Sequence, residues 1–269
     1  FQATTIAALV RDAGLNIGVA SLGGVQTLGL WSLANRVLQV PFLVFESLWQ
    51  VSFPATAQLI GTQDLAPALR RALVVTATSA GLLLCLLVGG GPALVTGLFG
   101  DQWKDAASVV PVASFGLLIS GPVSVTATGY LFATGNAAAV LWSVVAPTVV
   151  WFAVTFPTVG DHGVRAVGVG LLVSTVVEAV MLARALRRHA DVPFAKLLVR
   201  PVVAASVAGA SGYAVSAAIG GGLTVAAASS VLSACLFVAL LLVVDRDAVL
   251  GAVGVLRSAI PSRLRSARS

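Results

Sequence analysis

Apolar runs of roughly 20 residues recur along the whole chain, and ~20 residues is the length an α-helix needs to cross the hydrocarbon core of a bilayer. A backbone cut off from water must satisfy its N–H and C=O groups internally, which leaves helices and closed barrels as spanning structures. Barrel strands would be about half as long and would alternate in polarity. No such alternation occurs here. The expected fold class is all-α, a polytopic transmembrane helical bundle. Its eight segments fall near residues 3–22, 27–54, 71–95, 107–133, 137–157, 164–186, 199–219 and 223–244, punctuated by Gly and Pro clusters such as Gly23–Gly24 and Gly220 to Gly222. Composition agrees, because only 10% of residues are charged and mean hydropathy is +1.00, whereas soluble domains carry about 25% charged residues.

The net charge of +6 is not spread like a nucleic-acid surface. Of the 16 Lys and Arg residues, 12 fall in alternate connections: Arg70 and Arg71, then Arg184, Arg187, Arg188, Lys196 and Arg200, then Arg246, Arg257, Arg263, Arg265 and Arg268. The opposite connections hold only Lys104 and Arg165. Loops rich in Lys and Arg stay in the cytoplasm, so both ends of this chain are expected there, and no nucleic-acid partner is expected. Thr62 to Leu73 reads as a short amphipathic helix at the cytoplasmic interface. The stretch after Asp245 reads either as a basic tail on the anionic inner leaflet or as a solvated tail. Cys85 and Cys235 lie in apolar runs and read as small buried hydrophobes. No CxxC, HExxH or Cys/His cluster is present, so neither a metal nor another cofactor is expected. The chain begins at Phe1 and its only methionine is Met181, so it is expected to be the C-terminal part of a longer transporter-like protein or the product of a truncated gene.

The second segment departs from a plain membrane helix. At 100° per residue, Ser32, Arg36, Gln39, Glu46 and Gln50 share a sector of roughly 80°, with Leu43 the one apolar residue on that line. Trp31 and Trp49 lie about 27 Å apart along a helix and are expected to mark the two membrane interfaces. The first segment adds Arg11 and Asp12. Ionisable groups at membrane depth usually face a water-filled cavity, so Arg11, Asp12, Arg36, Gln39, Glu46 and Gln50 are the candidate cavity-lining, substrate-binding residues. The competing reading is snorkelling or ion pairing between helices. Glu178, near the inner end of the sixth segment, reads as an interfacial charge, and His162 and His189 as solvated loop residues. Pro41, Pro111, Pro122 and Pro147 fall inside helices as tolerated kinks.

The stretch GLWSLANRVLQVPFLVFESLWQVSFPATAQL, from Gly29, resembles a G-x-[YW]-S-L-A-x-R helix followed by F-P, and LFGDQWKDAASVVPV (Leu98 to Val112) resembles an external L-F-G-x-x-W-x-x-A element. Both are motifs of polysaccharide-biosynthesis proteins of the oligosaccharide flippase family, within the multidrug/oligosaccharidyl-lipid/polysaccharide exporter superfamily. The resemblance implies residues 1–186 as the C-terminal lobe of a two-lobed exporter, about six helices. Residues 187–244 would be two additional helices and 245–269 a basic cytoplasmic tail. It implies movement of undecaprenyl-diphosphate-linked oligosaccharide or polysaccharide repeat units from the inner to the outer leaflet of a bacterial cytoplasmic membrane by alternating access. Arg36 matches the motif's arginine and Arg11 follows less directly, both as contacts for the diphosphate. Implied partners are the lipid-linked oligosaccharide, membrane lipids, a missing N-terminal lobe and polysaccharide polymerase or export proteins.

The expected function is therefore transport within polysaccharide or lipopolysaccharide biosynthesis, not enzymatic turnover. No Walker A P-loop is present for ATP hydrolysis, and the external loops are short for a membrane glycosyltransferase or acyltransferase. The alternatives are a drug or small-cation exporter of the same superfamily, whose cavity should be acidic and aromatic, and a nonfunctional fragment or accessory subunit.

Overall fold

Helices supply all the regular structure among the described residues, 2–188 and 193–244 of the computed structural model. In order they are α1 (Gln2–Gln58), α2 (Leu65–Phe99), a single 3-10 turn (Asp101–Trp103), α3 (Lys104–Ala133), α4 (Ala137–His162), α5 (Val164–Arg187), α6 (Phe194–Ile219) and α7 (Leu223–Val244). All seven α-helices are long and apolar enough to cross a membrane. The protein is a polytopic all-α membrane bundle. The basic tail expected at 245–269 and His189 lie outside the described residues.

The count of eight separate segments needs correction at the chain's start. The first two expected segments form one α1, broken at Gly24, whose φ of 83° and ψ of 165° are not helical. That backbone region is essentially reserved for glycine. Fifty-seven residues of straight helix would run about 85 Å, far beyond the ~30 Å hydrocarbon core. Instead the chain folds back at Gly24. Gly14 and Gly18 of the first arm (2–23) pack on the rings of Phe152 and Phe156 in α4, while Trp31 of the second arm (25–58) meets Trp151 of the same helix, edge to face at 5.7 Å. Along one straight helix, positions 11 and 46 would stand about 52 Å apart. In this fold they border one cavity.

Two further expectations are corrected. Trp31 is buried in the core, 2% exposed, rather than sited at an interface, because the fold-back turns it towards α4. No separate interfacial helix covers Thr62 to Leu73. The chain turns between α1 and α2, and α2 begins at Leu65 and continues unbroken to Phe99, with Leu69 and Leu73 buried. The apolar side read as a membrane-facing stripe is the start of a core helix.

Short links make successive helices alternate in direction, so charge sorts to the two ends. Arg70, Arg71, Arg184, Arg187, Arg188, Lys196 and Arg200 all lie at the end where α2 and α6 begin and α5 finishes. The opposite end holds Lys104 and Arg165, each paired with a carboxylate, Asp101 at 3.1 Å and Asp105 at 3.2 Å. One end is strongly basic and the other is neutralised. An apolar core joins α1 to α3, α4 and α5 through Leu38, Phe45, Leu117, Trp151 and Leu171. A second cluster near the basic end contains Leu69, Leu131, Leu182 and Leu186. On the far flank, α2, α6 and α7 approach closely through small residues: Gly89 and Gly212 face Ser233, and Gly90 faces Ser230 and the Ala226 carbonyl. Backbones in a membrane pack this way because lipid gives helices no hydrophobic drive to associate.

Candidate functional site

The two arms of α1, with α3, α4 and α5, enclose a cavity of about 590 Å³. It reaches from the middle of the bundle towards its basic end. The α1 arms contribute Arg11, Asp12, Asn35, Gln39, Glu46 and Trp49, and α5 contributes Ser174, Thr175 and Glu178. The volume falls within the range typical of small-molecule sites, roughly 300–1,000 Å³.

Of the expected stripe, Gln39 and Glu46 line the cavity together with Arg11 and Asp12 from the other arm. Arg36 and Gln50 are exposed and are not among the lining residues. The core side of the second arm carries Ala34, Leu38, Pro41 and Phe45; of these only Phe45 borders the cavity, which otherwise meets the flank carrying Asn35, Gln39 and Glu46. Arg36 lies one helical step, 100°, beyond Asn35 on the outward side.

Among the described residues Arg11 is the one cationic lining residue, against three carboxylates, Asp12, Glu46 and Glu178. Its Nε donates to Asp12 Oδ1 at 2.9 Å, and its guanidinium carbon lies 6.0 Å from the centre of the Trp151 ring. Trp151 is held in place because its Nε1 donates to the Val167 carbonyl at 3.1 Å. The adjacent Arg11 and Asp12 thus pair with each other, and both reach the same cavity.

Glu178 corrects the sequence reading. It is not an interfacial charge but a cavity group. The Ser124 hydroxyl donates to its carboxylate, and Arg11 acts on it electrostatically without an ion-pair contact. A signal existed in the sequence. Ser174, Thr175 and Glu178 share one side of α5 at helical spacing, and Ser120, Ser124 and Thr128 do so on α3. Several of these hydroxyls donate to carbonyls of their own helix: Thr128 to Ser124 at 2.7 Å, Ser174 to Leu171 at 2.8 Å and Thr175 to Leu171 at 3.0 Å. Their oxygens keep acceptor capacity, so with the carboxylates the wall is rich in acceptors. Aromatic surface comes from Phe42, Phe132, Trp49 and Trp151, with Trp49 stacked on Phe53 at 5.5 Å. Phe45 closes the floor over Gly121.

Among the described residues no group of three or more His, Cys, Asp or Glu comes together as a metal site. Cys85 is buried, as expected, whereas Cys235 is exposed, which corrects its reading as a buried hydrophobe. Comparison with protein-family models, curated proteins and solved structures gives no match. The site is therefore that of a polytopic membrane bundle consistent with transport proteins in general.

Proposed function

We propose that the protein is a membrane transporter that carries the polar head of a lipid-linked oligosaccharide through this cavity while the lipid tail stays in the bilayer. The observation that carries the reading is the cavity itself, a chamber with largely apolar walls whose polar groups set the Arg11 guanidinium among carboxylate and hydroxyl acceptors. Moving an unpaired charged group through hydrocarbon is prohibitive, of order tens of kcal/mol by simple solvation arguments. A chamber that replaces water with hydrogen-bonding groups removes much of that barrier. Arginine offers phosphate oxygens a planar fork of donors and keeps its charge. Serine, threonine and carboxylate oxygens accept from sugar hydroxyls, and the aromatic walls offer apolar surface to sugar faces. The basic end is read as cytoplasmic by the positive-inside rule, so in this reading the cavity, which reaches towards that end, opens first to the inner leaflet of a bacterial cytoplasmic membrane. Alternating access, with the chamber later opening to the outer leaflet, completes the cycle. An N-terminal lobe and polysaccharide polymerase or export proteins are its proposed partners.

A second reading, export of a drug or small organic cation, is favoured by one specific observation: three carboxylates and several aromatic rings surround a single arginine. The two readings separate in proteoliposomes containing the full chain. A fluorescent undecaprenyl-diphosphate oligosaccharide should become accessible in the opposite leaflet, at a rate proportional to protein, while tetraphenylphosphonium does not move. Movement of the cation without the lipid-linked sugar would replace the first reading by the second.

A further inference from the structure

Arg11 and Glu178 reach one cavity from different elements, the first arm of α1 and α5. They sense each other's charge but do not touch. Each is half-engaged. Arg11 uses its Nε on Asp12, which leaves its terminal amino groups for a ligand. Glu178 takes one hydrogen bond from Ser124, and a carboxylate has about four acceptor positions. The other charged lining groups are Asp12 and Glu46, both on α1, while α3 and α4 contribute only uncharged residues. A carboxylate and a guanidinium held apart across a cavity match a ligand that carries the opposite pair in the same order.

We propose that Arg11 and Glu178 form a two-point receptor for a sugar head group that bears both a phosphate and an ammonium. The phosphate oxygens take the terminal amino groups of Arg11. The ammonium takes the unoccupied oxygen positions of Glu178. This inference rests on the transport reading and narrows its substrate class to zwitterionic sugar phosphates. A purely anionic head would leave Glu178 facing like charge. A purely cationic head would leave Arg11 in that position.

Calorimetric titration of the full chain in nanodiscs tests the pairing with four probes: glucosamine 1-phosphate, glucose 1-phosphate, glucosamine and inorganic phosphate. Glucosamine 1-phosphate should bind about tenfold more tightly than glucose 1-phosphate, as expected for gaining one charge-assisted hydrogen bond. Glu178→Gln retains an acceptor for Ser124 and should abolish that advantage. Arg11→Gln should weaken both sugar phosphates by tenfold or more and should not weaken glucosamine. Equal binding of the two sugar phosphates to the unaltered protein, or an undiminished advantage in a folded Glu178→Gln variant, overturns the two-point receptor but leaves the transport reading standing. Binding of none of the four, together with binding of tetraphenylphosphonium, overturns both.

Discussion

Arg11→Ala is expected to slow transfer of the lipid-linked oligosaccharide by about 100-fold or more, from two lost hydrogen bonds to a charged group at roughly 1.5–3 kcal/mol each. The fold should survive, because the partner left behind, Asp12, is 62% exposed and borders the cavity rather than the packed core. Arg11→Lys keeps the charge but loses the planar fork, and about a tenfold loss is expected. Arg36→Ala should have a smaller effect than either, since that side chain points away from the cavity. The measurement is the initial rate of leaflet exchange at matched protein density. Full activity in a folded Arg11→Ala variant would exclude a phosphate contact at Arg11. A cation exporter would behave differently, because removing a cation from the cavity wall would preserve or raise cation flux.

The second large effect is on the fold, away from the cavity. At Gly90 an added side chain meets both Ser230 and the backbone carbonyl of Ala226, and a backbone carbonyl has no rotamer to escape into. Gly90→Leu must therefore push α2 away from α7. Overpacking typically costs about 1–3 kcal/mol, and separation also breaks the bond from the Ser230 hydroxyl to the Leu86 carbonyl at 3.2 Å, worth about 1 kcal/mol. The expected result in detergent is a clear drop in the thermal unfolding midpoint and loss of the monodisperse species. Gly29→Ala is the control, because it sits in helix with open space around its Cβ direction and should match the unaltered protein. Wild-type stability in Gly90→Leu would show that the α2–α7 contact is looser than described here.

Hydropathy made the membrane bundle legible because run length and charge segregation are properties of the chain alone. Gly23–Gly24 also marked the division inside α1. What sequence periodicity lacks is the identity of a helix's neighbours. A helical wheel groups Arg36 with Gln39 and Glu46, but only packing decides which edge of that group meets a cavity, and here it is the edge shared with Asn35. Trp31 carried an interface signal by spacing, yet the fold-back at Gly24 set it against Trp151. Glu178 was misread for a related reason. Judged by distance from the end of its own helix it looked peripheral, whereas its surroundings come from Ser124 on α3 and Arg11 on α1, residues distant in sequence. The serine and threonine spacing on α3 and α5 was visible but modest, since each hydroxyl also serves its own helix.

The most direct test of transport through this cavity is the sidedness of a thiol placed in its wall. Cys85 and Cys235 would be replaced by alanine, Gln39 by cysteine, and the protein oriented in proteoliposomes and treated with a membrane-impermeant maleimide from each side. Labelling at rest is expected from the basic end, with protection by lipid-linked oligosaccharide, and reactivity from the opposite side is expected to appear during turnover. Labelling from one side in every condition, unchanged by the substrate, would contradict the proposal that the cavity carries a head group across the membrane.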